Sequence, residues 1–435
     1  MRIANYIFII VLCGAATAQN TGRTVRHHRV AESAAPAVSA DVTNAEDALA
    51  RNDFAAAEQL LKKATAANSK DYRAWYDLGF VYNATDRRSE AIEAYRQSVA
   101  ADPNIFESNL NLGLALAAND DADAEKYLRA ATHLKPASNP QEGSARAWLA
   151  LGGVLDKKDV QAAVVAFREA AKLKPLSAEP HLAAAIALEN SGDLSGAEAE
   201  FQQAARLDPK STEALAGLVN VYTTTKRLPE AEAALRTLVT ADPQNATAHV
   251  QLGRVLAAEK KNDEAAAELQ IGLKLAPGDV DARRELAGLH ASAQQYDLAA
   301  AEYRELLKLK PNDAETHFAL GTLLMNQKRF AESQAELIAA VKLDPKMADA
   351  WGNLAVVAAE NNQYGLAIQA VNERAKLVPE DFGTYYLRAT VYDHMRDYKQ
   401  AADNYHQFLT ASNGKFPDLE WKARHRLVAI EPKKK

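Results

Sequence analysis

Three histidines, His181, His249 and His317, recur at intervals of 68 residues. A recurring histidine is the first side chain to test for chemistry, because its neutral ring ligates metals and its charged ring donates protons. A second candidate is the acidic run Asn119-Asp120-Asp121-Ala122-Asp123-Ala124-Glu125, whose alternating oxygen donors imitate a calcium loop. Its sixth position, where such a loop turns sharply on glycine, is Lys126. The acidic residues suit capping of a shortened turn instead. The chain has no P-loop, GxGxxG, HExxH or GxSxG motif. A formal charge of −6 leaves no excess of Lys and Arg to neutralise a phosphate backbone, which excludes nucleic acid as the expected partner.

The histidines are explained by the elements that carry them. Prolines stand at Pro175, Pro209, Pro243, Pro277, Pro311, Pro345 and Pro379, each 34 residues after the last, and Pro103 and Pro136 continue the file upstream. In phase with them runs a file of small residues: Gly79, Gly113, Gly152, Ala185, Val219, Gly253, Ala287, Gly321, Ala355 and Ala389. A second file follows at Ala91, Ala124, Ala163, Ala197, Ala231, Ala265, Ala299, Ser333, Ala367 and Ala401. Trp75, Leu78, Gly79 and Tyr82 share one face of a first helix, and Ala91, Tyr95 and Ser98 share one face of a second. A Gly or Ala in such a stripe lets two helix axes approach to the lower end of the usual range, and the proline stops the second helix. One unit cannot bury both of its faces, so the units must stack.

This 34-residue helix–turn–helix unit resembles the tetratricopeptide repeat, over residues 38 to about 415. The resemblance implies an all-α fold, a right-handed superhelical solenoid of about eleven repeats. The first repeat, 38–71, is degenerate, with Ser69 at the proline position, and the eleventh has Asn413 there. Two irregularities fall in the first third. The third and fourth units are one residue short between their small residues, and residues 137–144 form an insertion expected to be a surface loop. After the array, 416–431 reads as a capping helix that covers the last repeat with Trp421, Leu427 and Val428, followed by a basic tail, 432–435. The histidines take the first-helix position held elsewhere by Trp75, Trp148 and Trp351, so they are expected to pack at repeat interfaces. At two repeats' separation they lie more than roughly 30 Å apart and cannot share a metal.

The resemblance also implies a function. First helices of the family line a concave groove, and the family's ligand-facing positions map onto Arg73, Tyr76, Phe80, Asn83, Leu110, Leu114, Leu182, Ile186, Arg254, Arg284, Phe318 and Tyr386. The expected activity is a non-catalytic protein–protein interaction scaffold that binds a partner peptide or helix there, with no cofactor, metal or catalytic residue. Asn111 and Asn353 are isolated in the pattern, so an asparagine ladder is not expected. The alternative is a structural component bridging parts of an envelope secretion, polysaccharide-export or wall-building machine.

The chain opens MRIANYIFIIVLCGAATAQ, with Arg2 before an apolar run and small residues Ala16 and Ala18 before Gln19. This reads as a signal peptide, 1–18, cleaved to release an exported, periplasmic or extracellular protein. The run is short for a bilayer span, which takes about 20 residues, so membrane attachment follows only if the leader is retained. Residues 19–40 read as a disordered leader. Cys13 is the single cysteine, so cleavage removes any disulfide or thiol chemistry.

Overall fold

The computed structural model describes residues 38–431. The signal peptide, most of the leader and the basic tail lie outside the described residues. Among these the chain forms 23 α-helices and no strand, an all-α helical repeat solenoid. The helices pair in chain order, from Ala40–Ala50 with Phe54–Ala67 to Phe382–His394 with Tyr398–Ser412, and Pro417–Ile430 follows. The chain divides between Asp242 and Pro243 into two compact units. The first carries repeats one to six; the second carries repeats seven to eleven and the final helix.

Local sequence sets each helix boundary. Several first helices start on an Asx or Ser cap: Asp71 accepts from the Arg73 and Ala74 amides, Ser211 from Ala214, Asn245 from Ala248, and Asp279 from Asp281 and Ala282. In every repeat but the fourth, the turn between the two helices is made by one residue in the left-handed region. It is Gly192 in the fifth repeat but Lys226, Lys260 and Lys328 in the sixth, seventh and ninth, with φ of 59°, 63° and 58°. A side chain there is strained, and stacking of the flanking helices holds it.

The second small-residue file is the tightest part of the core. Ala57, Ala91, Ala124, Ala163, Ala197, Ala231, Ala265, Ala299, Ala367 and Ala401 are all 0% exposed, as is Ser333, whose hydroxyl donates to the Gly321 carbonyl at 2.6 Å. Gly253 shows why the first file is small as well. A Cβ there would lie 2.7 Å from Leu269 Cγ and 3.0 Å from the Ala265 carbonyl oxygen.

The histidines are structural, and a pairing rule governs them. At that first-helix position the side chain turns back to a carbonyl six residues upstream. Trp75 Nε1 donates to Ser69, Asn109 to Pro103, Arg283 to Pro277 and Trp351 to Pro345, at 2.9–3.1 Å. His249 and His317 place Nε2 on Pro243 and Pro311 at 3.3 and 3.1 Å. A carbonyl only accepts, so Nε2 carries the proton there. Their Nδ1 atoms face Glu268 and Glu336 at 2.6 Å, His181 faces Glu200 at 2.7 Å, and Arg283 faces Glu302 at 2.6 Å. Where the position is tryptophan, the facing residue is alanine: Ala94 for Trp75, Ala166 for Trp148 and Ala370 for Trp351. A long polar partner and a bulky ring fill the same space in alternation.

Two expectations are corrected. The insertion is not a surface loop: Asn139 turns at φ 45°, Pro140 takes the first helical position, and residues 140–155 form one 16-residue helix, longer than its counterparts. Its added turn rests on Pro136 and Phe106, with the Ala137 amide bonded to Glu107 Oε1 at 2.8 Å. On the final helix, Trp421 and Val428 are 60% and 79% exposed. The packed stripe is Leu419, Ala423, Leu427 and Ile430, one helical face earlier. Glu420 anchors it, accepting from the Ser412 hydroxyl and the Gly414 amide at 2.7 Å, while Arg426 holds Asp393 at 2.6 and 2.7 Å.

Candidate binding face

Within each unit, successive first helices touch directly: Phe106–Ala117 with Pro140–Leu155 and Glu179–Ser191 with Thr212–Thr224 in one, Ala314–Asn326 with Ala348–Glu360 in the other. Successive second helices make no comparable contact, so the first helices line the inner side of each unit. Hydrogen bonds stitch that side together. Asn111 donates to the Tyr76 hydroxyl at 2.9 Å, Asn353 donates to Thr322 at 2.9 Å, and Arg254 reaches Glu285 at 2.9 and 3.0 Å. Asn111 and Asn353 each bridge neighbouring first helices.

The expected groove residues separate into three groups. Leu110 and Ile186 are 5% and 6% exposed and form the wall beneath the surface, too deep for a ligand to reach. Helical spacing gives the direction in which they point but not their depth. Arg254 and Arg284 lie on the inner side committed to carboxylates, Arg254 on Glu285 and Arg284 on Asp281 and Asp313 at 3.4 and 3.2 Å. Arg73 Nε bonds the Tyr72 hydroxyl at 3.2 Å. The remaining residues present surface: Asn83 is exposed, and Tyr76, Phe80, Leu114, Leu182, Phe318 and Tyr386 are half-buried.

In the first unit Tyr76 bonds Asn111 of the next first helix, meets the Tyr95 ring at 5.9 Å, and packs with Phe80 against one core cluster. Burial, then the charge of Asp77, pushes the Tyr76 phenol up, so it stays neutral. The position just after the small residue reads Phe80, Leu114, Gly153, Ile186 and Asn220 along this unit. A Cβ on Gly153 would meet nothing within 4 Å, and the open space beside it is lined by Ala117 and Val154 with Asp120, Asp121, Lys157 and Lys158 at its edge. In the second unit the same file reads Arg254, Gly288, Thr322, Val356 and Thr390, far more polar. Sequence reasoning missed Gly153; its signal was a second glycine beside Gly152 in a file of large residues. Among the described residues no group of three or more His, Cys, Asp or Glu is placed to hold a metal.

Tetratricopeptide repeat family profiles match residues 190–252, 318–382 and 289–328, and the middle TPR-like domain of cilia and flagella-associated protein 70 matches 43–174. The chain is a tetratricopeptide repeat protein. Among solved structures, YrrB, described as a TPR protein with an unusual peptide-binding site, is 23% identical over 43% of this chain and 96% of its own, with a TM-score of 0.39. Pseudomonas aeruginosa PilF is 19% identical over 49% of this chain and 97% of its own, at 0.37. A chain of Naa15/Naa10 bound to HypK-THB is 17% identical over 88% of this chain and 64% of its own, at 0.43. No curated protein matches the chain. The tetratricopeptide array is a protein–protein interaction scaffold, a fold that is generally non-catalytic.

Proposed function

We propose that this tetratricopeptide protein binds an extended or helical segment of a protein partner on the first-helix face of residues 72–224, anchoring an apolar side chain over Gly153. The observation that carries the reading is the gap itself: Gly153 stands at the position held by Phe80 and Leu114 in the two preceding repeats, a Cβ on it would meet nothing within 4 Å, and Ala117 and Val154 line the space beside it. An apolar anchor placed there would bury surface at about 25 cal/mol per Å². The test pairs Gly153→Ala with Gly153→Trp. Alanine in a helix interior adds stability of about 0.5–1 kcal/mol and leaves the gap open. Tryptophan fills it. In-cell photo-crosslinking from a probe at Phe80 then captures a partner in the wild type and in Gly153→Ala but not in Gly153→Trp, with an outer-face probe at Lys172 as control. Equal capture from Gly153→Trp would sink the proposal.

The second reading is an assembly component acting through its ends, and the exposed Trp421 and Val428 on the last helix favour it. In that case Trp421→Ala abolishes assembly while the groove variants leave it unchanged. We further propose export with cleavage before Gln19, which N-terminal sequencing of the processed protein decides. A retained Met1 would mean a membrane tether.

A further inference from the structure

We propose a second site, on the second-helix side of the array at the junction of the tenth and eleventh repeats, that binds a neutral saccharide. The repeats themselves show that something differs here. One residue before the first-helix small residue stand Leu78, Leu112, Leu151, Ala184, Leu218, Leu252, Leu286, Leu320 and Leu354, and then Arg388. Seven residues after the second-helix small residue stand Ala, Ser, Gly, Leu or Phe at every repeat except the tenth, which has Arg374. Two core positions at a single junction have thus become guanidinium groups. The second helix of the tenth repeat also stops early, at Ala375.

Arg388 lines a wide-mouthed cleft of about 790 Å³ between Tyr364–Ala375, Phe382–His394 and Tyr398–Ser412, while Arg374 bonds Thr384 and Asp381 nearby. That volume lies in the range of small-molecule sites. Its wall includes Asn372, Glu380, Arg388, Tyr392, Asn404 and Gln407. The Arg388 side chain is only 13% exposed; it pairs with Glu380 and lies 3.4 Å from Asn372 Oδ1, yet its Nε has no partner. Asn404 is 5% exposed and donates to the Gln400 carbonyl at 2.9 Å, while its Oδ1 has no partner. One buried donor and one buried acceptor at the same wall are unusual, because such groups are normally satisfied.

A hydroxyl both donates and accepts, as do the carboxamides of Asn372 and Gln407 and the phenol of Tyr392. A polyhydroxylated ligand therefore matches the wall group for group. Glu380 neutralises Arg388, and Asp403 adds a further negative charge, which disfavours anions. An apolar peptide anchor finds no comparable pocket among these polar side chains.

The experiment is saturation-transfer NMR on the full chain with glucose, galactose and N-acetylglucosamine, and with glucuronate as the charged control. At least one neutral sugar is expected to bind with a Kd of about 10 mM or tighter, and glucuronate at least about tenfold more weakly. Arg388→Leu with Glu380→Gln restores the leucine of the other repeats and is expected to abolish the transfer while raising the melting temperature. Asn372→Ala with Gln407→Ala alters only exposed rim residues and is expected to weaken binding with an unchanged melting curve. Phe80→Ala, in the inner groove, leaves sugar binding intact. The proposal is overturned if none of the three neutral sugars gives transfer, if glucuronate binds as well as they do, or if both junction variants bind like the wild type.

Discussion

Exchanging one repeat's pair for another's tests whether the repeats obey a pairing rule or merely tolerate variation. In the ninth repeat His317 faces Glu336 at 2.6 Å and Pro311 at 3.1 Å, with the two side chains 15% and 27% exposed. In the tenth, Trp351 keeps the proline bond at 3.0 Å and shares a packed cluster with Ala370. Glu336→Ala removes a charge-assisted acceptor at a partly buried site, which costs about 1–1.5 kcal/mol. His317→Trp preserves a donor to Pro311 but drives an indole into the space that Glu336 occupies, which costs about 1–3 kcal/mol by overpacking. The double variant recreates the tenth repeat's arrangement and is expected within about 0.5 kcal/mol of the wild type, the usual scatter for independent sites. The coupling is then roughly 2–4 kcal/mol in favour of the double variant. Solenoids unfold locally, so the readout is native-state hydrogen exchange of amides in 314–343 for all four proteins. If the two single effects simply add in the double variant, the residues do not compete for one space and the rule is wrong.

Gly253→Leu sets a side chain against Leu269 and the immovable Ala265 carbonyl, and a loss of about 1–3 kcal/mol is expected in the seventh repeat; an unchanged denaturation curve contradicts the close approach. Lys260→Gly relieves a left-handed side chain at φ 63° and should stabilise by about 0.5–1 kcal/mol, read as a higher urea midpoint. The two ends of the described chain should respond to acid with opposite sign. Burial, then the charges of Glu46 and Asp71, pushes the Asp77 carboxyl well up, so its contribution is greatest in acid and is lost as pH rises through the folded value. The Ser412 hydroxyl, against an opposing effect of burial and helped by the Gly414 amide, holds Glu420 below 4.5, so the final helix loses that contribution as pH falls through the folded value. Fluorotryptophan NMR follows Trp75 and Trp421 separately: acid should sharpen the first and broaden the second, Asp77→Asn should remove the first response, and identical trends at both would refute the assignment.

The spacing of prolines and small residues was enough to specify helix, turn, helix and their stacking, because a 34-residue period with a fully buried Ala or Ser in each unit has few other solutions. The histidines' confinement to packing was legible for the same reason, since they stand where tryptophans stand. Depth was not legible. Leu110 and Phe80 both fall on the expected groove side of an amphipathic helix, yet one is buried and the other half open. Periodicity gives the direction a side chain points from its own axis and nothing about the next axis.

The final helix makes the same distinction from the other side. Its amphipathic reading offered Trp421, Leu427 and Val428 as the covering face; Leu427 does meet the eleventh repeat, but with Leu419 and Ala423 rather than with Trp421 and Val428. The buried Glu420 and the Arg426–Asp393 pair choose between two faces that hydrophobicity alone leaves close in energy. So the sequence by itself determined the unit, its length and its small-residue contacts, all set by interactions within about 40 residues along the chain. Only the tertiary structure decided which side chains remain open to a partner, that Gly153 leaves a gap, and that the junction at Arg388 is a cleft, because each depends on how far apart two already-formed helices come to rest.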